Sequence, residues 1–148
     1  MDTISPLLPL YETAIRTGDA TRMIEALMED PYAFPGPAYP AAHEQARQLL
    51  MANIHLWQAL PKVPFVLERR PRDRLSEIRV PTLILVGDRD RPSTRALAHE
   101  LQGLIARSTV AEIEGAGHLL NMERPTEFNR LVIGFLSGLS DSGVRGTS

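Results

Sequence analysis

Cysteine is missing from all 148 positions, which excludes disulfides, thiolate nucleophiles and cysteine-bound metals. Lysine is nearly missing: Lys62 stands alone beside 15 arginines, a bias that fits GC-rich bacterial coding better than a chemical need. Excess charge of either sign is also absent. A formal net charge of −2 and a pI near 6.1 argue against non-specific attraction to nucleic acid or to anionic membrane. No apolar run approaches the roughly 18 residues of a spanning helix, and "MDTISPLLPLYE" has no basic region of a leader peptide. The expectation is a cytoplasmic protein with neither nucleic acid nor membrane as partner. His43, His55 and His99 lack the i, i+4 partner of a helix-borne metal site, so neither a metal nor a cofactor is expected. His43 and His99 read as surface residues of helices.

What is present divides into two regions. Residues 1–70 read as helical and punctuated by proline, 71–139 as an α/β segment, and 140–148 as a disordered tail. In the first region Ser5 and Pro6 look like a helix start and Gly18 like its stop; Asp19 can cap a second helix through Met28, ended by Pro31. "PYAFPGPAYP", 31–40, is a loop. A single helix is expected over 41–60, burying Ala46, Leu49, Leu50, Ile54, Trp57 and Leu60 at helical spacing. Asn53 falls on that face, either as a hydrogen-bonded core amide or as a polar group lining a pocket. Trp57, Phe65, Tyr32 and Tyr39 are candidates for ordinary core packing or for the lining of an apolar pocket. Charges at Lys62, Arg69, Arg70, Arg72, Asp73 and Arg74 mark a solvated connector, with phosphate binding the lesser alternative because no glycine loop accompanies them.

From Val80 the pattern changes. "PTLILVG" is a continuous apolar run of strand length, as in a parallel sheet covered on both faces. A helix over 93–102 follows, with Ser93 as its cap, then a second strand in "STVAEIEG". The last helix opens at Pro125 and turns Phe128, Leu131, Val132, Phe135, Leu136 and Leu139 to one side. Strand, helix, strand, helix is a βαβ unit extended by one helix.

In open parallel sheets, functional groups gather at the carboxyl ends of strands. The first strand runs out into "GDRD", offering Asp88 and Asp90, and the second into "GAGH", offering His118. Adjacent parallel strands would bring these turns together. An imidazole whose Nδ1–H is held by a carboxylate is the orienting pair of a general base. Ordinary loop residues are the competing account.

The combination "VPTLILVGDRDRPS…TVAEIEGAGHLLNMERPTEFNRLVIGFL" resembles the C-terminal part of the α/β-hydrolase fold family. The matching pieces are Val80 to Thr82, Gly87 to Asp90, Gly115 to His118, then Glu123, Pro125 and Phe128. The resemblance implies that Asp90 is the catalytic acid and His118 the base, with Asp88 capping a turn. It also implies that the helical first half is similar to the lid inserted before the penultimate strand; Asn53, Trp57 and Leu119 are the candidates for lining a pocket.

That family places its nucleophile on a Gly-x-Ser-x-Gly elbow upstream of the lid. No such pattern occurs here; "GFLSG", 134–138, has the wrong spacing and lies inside the last helix. The resemblance therefore implies a partial α/β-hydrolase fold: two parallel strands, helices and a helical lid, completing its sheet with another chain. That partner is either the N-terminal half of the fold or a second copy. Three functions follow as expectations. One is a hydrolase subunit that contributes Asp90, His118 and the lid toward a small hydrophobic acyl or ester substrate, with the nucleophile from another chain. The second is an acid/base lyase, cyclase or isomerase that needs no nucleophile and acts on a small biosynthetic intermediate as a homodimer. The third is a non-catalytic binding or assembly module.

Overall fold

The structure, a computed structural model, describes residues 8–33, 35–36, 38–59 and 71–144. The expected Ser5–Pro6 start, Leu60, Phe65 and Lys62 lie outside them. The first described helix, α1, spans Leu8–Thr17 and stops at Gly18, whose φ of +70° is the left-handed conformation that closes a helix at little cost only in glycine. In α2, Ala20–Glu29, the Asp19 carboxylate accepts the Arg22 N–H at 3.0 Å and satisfies one of the unpaired first-turn donors. Ala20, Ile24 and Ala26 are buried on α2, which packs against α1, α3 (Pro40–Ala52) and α4 (Ile54–Ala59).

The single helix expected over 41–60 is instead two. The chain breaks at Asn53, which is exposed; its side-chain amide donates to the Leu49 carbonyl at 2.8 Å and caps α3. Asparagine competes with the helical backbone for its own hydrogen bonds, and here it wins. The expected stripe is only partly kept: Ala46 is buried, Leu50 and Ile54 are half-buried, and Leu49 is exposed. The side chain of Trp57 lies outside what is described.

A 3-10 turn over Pro71–Glu77 leads into β1, Thr82–Gly87. Then come α5 (Pro92–Leu104), β2 (Ser108–Ile113), a short α6 (Leu120–Glu123) and α7 (Pro125–Val144). β1 and β2 pair in parallel, Thr82 opposite Ser108 through Gly87 opposite Ile113, so both strands end level. Ser93 does not cap α5. Pro92 takes the first helical position, where its fixed φ and missing N–H cost nothing, and the cap falls on Arg91. α5 lies across both strands, and its Arg95 and His99 hold Glu112 of β2 at 3.2 and 3.1 Å. The His99 hydrogen bond foremost, aided by Arg95, keeps the Glu112 carboxyl below its ordinary value. α7 runs through to Val144, over the first five positions of the stretch read as a tail.

The fully buried apolar residues of the strand region are Val86, Ala98, Ile105, Ile113 and Ala116. Leu83, Ile84 and Leu85 are only half-buried. Of the α7 face expected to be buried, none is fully so, and Leu136 is 54% exposed beside Ile133 at 61%. Among the described residues each strand has one unpaired edge. Among the described residues no helix is long and apolar enough to cross a membrane.

Gly87, the last residue of β1, is where backbone meets backbone. A Cβ there would stand 2.1 Å from the Ala116 carbonyl oxygen and 2.5 Å from that of Gly117. Neither neighbour is a side chain that can swing away. Gly87→Ala should therefore lower unfolding stability by about 1–3 kcal/mol or more, read as a fall in the urea midpoint. An unchanged midpoint would contradict this close approach.

Candidate functional site

Because β1 and β2 end in register, the residues just past each end share one space. Asp90 lies three beyond Gly87 and His118 five beyond Ile113. His118 Nδ1 stands 3.0 Å from Asp90 Oδ2; the Asp90 side chain is 5% exposed and that of His118 52%. A carboxylate can only accept, so the hydrogen between them belongs to Nδ1 and the neutral ring keeps its lone pair on Nε2. The other carboxylate oxygen, Oδ1, accepts the Arg91 N–H at 2.6 Å. Both oxygens of Asp90 are thus engaged and the carboxyl plane is fixed.

The two turns are stitched together. The Arg89 N–H donates to the Ala116 carbonyl at 2.9 Å, and the Asp88 carboxylate accepts the Gly115 N–H at 2.7 Å. Asp88 does cap a turn, but the turn belongs to the neighbouring strand. Gly115, at φ +74°, takes the reversal that follows β2. Glu123, buried at the end of α6, accepts the N–H of Gly117 and, at 3.4 Å, that of Leu119. Those N–H groups flank His118, so one carboxylate pins the backbone on both sides of the ring.

The helical region grips the same turns. Arg91 donates to buried Asp30 at 2.5 Å while its guanidinium lies 5.1 Å from the centre of the Tyr32 ring. The Tyr39 hydroxyl donates to the Gly115 carbonyl at 2.7 Å. Asp30 also lines a cleft of about 520 Å³ with Met28, Pro31, Pro35, Pro40 and His43. His43, expected at the surface, is half-buried with Nδ1 2.7 Å from the Pro35 carbonyl oxygen.

Asp90 and His118 therefore meet, whereas Asn53 is turned back on its own helix. Leu119 is half-buried and directly follows the ring-bearing residue. Asp30, Arg91 and the bonding role of Tyr39 escaped the sequence reading, because each acts across more than 60 positions. Glu123 was visible within the motif, but nothing in its spacing gave its role.

The sequence profile of the alpha/beta hydrolase family matches residues 2–131. Over 139 residues the chain is 30% identical to the polyketide synthase ThaQ of Burkholderia thailandensis, spanning 88% of this chain and 7% of that protein. Over 65 residues it is 35% identical to the carboxylesterase YbfK of Bacillus subtilis, spanning 43% of this chain and 22% of the esterase. Among solved structures, MenH from S. aureus superposes with a TM-score of 0.67 at 25% identity, over 86% of this chain and 50% of MenH. The esterase RhEst1 from Rhodococcus sp. ECU1013 superposes at 0.68 and 23% identity, over 91% of this chain and 49% of the esterase, a likeness of fold alone. The chain thus spans about half the length of these two structures and less of the two sequence relatives.

Glu123→Gln turns one of the two accepting oxygens into a donor facing an N–H. The expected outcome is a loss of about 1.5–3 kcal/mol in unfolding stability, together with a changed ¹⁵N signature of the His118 ring. A ring signal identical to the parent's would show that Glu123 does not order the imidazole.

Proposed function

This chain belongs to the alpha/beta hydrolase family, and from that premise we propose that it contributes the acid, the base and the cap of an acyl- or ester-type hydrolase whose nucleophile stands on another polypeptide. The observation that carries this reading is the 3.0 Å contact between Asp90 and His118, with the ring half in solvent. His118 Nε2 takes the proton of an approaching hydroxyl as that oxygen attacks the acyl carbon. The imidazolium so formed is stabilised by Asp90 and returns the proton to the leaving group as the acyl bond breaks. Oxyanion donors come with the nucleophile. The helices over 8–59 act as the cap over a small hydrophobic substrate, and the names of the relatives, a carboxylesterase and a polyketide synthase, support an acyl group as its reacting part.

The open strand edges and the exposed Ile133, Leu136 and Val80 support a partner that completes the sheet, either the remaining half of the fold or a second copy. One observation favours a second reading: the pair is assembled wholly from this chain, in a sequence with no Gly-x-Ser-x-Gly elbow. An Asp–His pair alone can move a proton within an apolar pocket, which suffices for an elimination, cyclisation or isomerisation.

His118→Ala should lower turnover at least 10²–10⁴-fold, roughly the range general-base catalysis supplies, and Asp90→Asn should follow it. Full turnover in His118→Ala would end both readings. A fluorophosphonate probe should label a hydroxyl of the partner polypeptide; His118-dependent turnover without any labelling favours the nucleophile-free reading. In sedimentation runs the chain should associate, with itself or with the partner, and a compact monomer at every micromolar dilution would remove the shared sheet.

A further inference from the structure

Asp30 and Asp90 are carboxylates nearly sealed from solvent, and one residue, Arg91, touches both. The Asp30 side chain is 1% exposed and holds the Arg91 guanidinium at 2.5 Å. That of Asp90 is 5% exposed and accepts the Arg91 backbone N–H at 2.6 Å. By contrast, Arg47, Arg72, Arg74, Arg95 and Arg130 sit on carboxylates that keep at least 35% of their side-chain surface.

Asp30 is a fixed post. Its own N–H closes α2 on the Leu27 carbonyl, and its Oδ1 accepts the Tyr32 N–H at 2.9 Å. Oδ2 is then presented to Arg91, whose guanidinium also faces the Tyr32 ring. On its other side Arg91 meets Pro92, which keeps it extended at φ −50° and ψ 139°. A residue held by its side chain and by the proline after it has little freedom left in its N–H. That N–H occupies Oδ1 of Asp90, and an occupied Oδ1 decides where Oδ2 points, which is at His118 Nδ1.

Stability does not account for burying Asp30, because a buried ion pair adds little over apolar residues of the same shape. We propose that Asp30 is a positioning residue. Through Arg91 it sets the plane of the Asp90 carboxylate, and through that carboxylate the Nδ1–H tautomer of His118. That this serves turnover rests on the catalytic reading above; the ordering of the ring does not.

The test follows the His118 ring in two-bond ¹H–¹⁵N spectra of the whole chain, at a pH where the ring is neutral. Its signals are assigned by their loss in His118→Ala. The parent should show the Nδ1–H form, and an Nε2–H form overturns the proposal at once. Asp30→Asn and Arg91→Met each strand one charge, so both should lose urea stability and shift the ring toward a mixture of tautomers. Asp30→Leu combined with Arg91→Met removes both charges and strands neither. Its urea midpoint should return close to the parent's while the ring signal stays shifted. A recovered midpoint with the parental ring signal makes the ion pair purely structural and overturns the proposal. Arg91→Lys keeps a charge for Asp30 to hold and covers the case in which the other variants do not fold. It should keep the parental signal, and a tautomer mixture there counts against the tie. In the assembled enzyme the double variant should lose roughly 10- to 10²-fold in kcat with KM within a few-fold of the parent's. Unchanged kcat also overturns the positioning role. A parent without turnover whose ring signal still depends on Asp30 defeats the catalytic reading alone.

Discussion

Two backbone turns touch above Gly87, and the site exists because nothing larger than a hydrogen atom stands between them. The Ala116 and Gly117 carbonyls crowd the place where any side chain would begin, which lets the turn after β2 fold across the end of β1. Once that contact is made, the Arg89 N–H reaches the Ala116 carbonyl and the Asp88 carboxylate reaches the Gly115 N–H. Asp90 and His118 then lie at 3.0 Å without strain in either side chain's own turn, since no non-glycine residue among those described has a positive φ. The geometry of the pair is a consequence of backbone packing.

The helical region is attached to that interlock rather than merely resting on it. Asp30, at the end of α2, is buried and holds the guanidinium of Arg91, the residue whose N–H also orients Asp90. Nine positions later Tyr39 holds Gly115. A buried ion pair adds little net stability over an apolar pair of the same shape, but losing one partner strands a charge and costs about 3–5 kcal/mol. The helical region and the strand tips are thus tied at two points, Asp30 on Arg91 and Tyr39 on Gly115.

The readable parts of the sequence were those governed by local rules. A continuous apolar run bounded by Pro81 and Gly87 reads as a strand, and Gly115 and Gly117 around Ala116 as a tight turn. Gly18 and Asp19 announced a helix stop and a helix start by their own chemistry. Local competition explains two misses: Asn53 capped α3 where periodicity alone predicted continuation, and Pro92 pre-empted Ser93. The remaining misses are non-local. Nothing in the composition around Asp30 points to Arg91, 61 positions away, and Glu123 reaches back to Gly117 only because α6 folds the chain on itself. The pair was legible; the scaffold that holds it was not.

Hydrophobic periodicity records the surroundings in which a helix is meant to be buried, and α7 carries a stripe of six apolar residues none of which this chain fully covers. The same holds for Leu83, Ile84 and Leu85 on β1, apolar on both faces yet half-covered. The mismatch is confined to the strands and α7 and spares the two turns, where Asp90, Ala116 and Glu123 are all buried. The hydrogen bonds that order Asp90 and His118 thus lie among described residues between 30 and 123, while the strand and α7 surface around them is only partly covered. The His118 side chain stays 52% exposed beside that surface, so one side of an already positioned ring remains open.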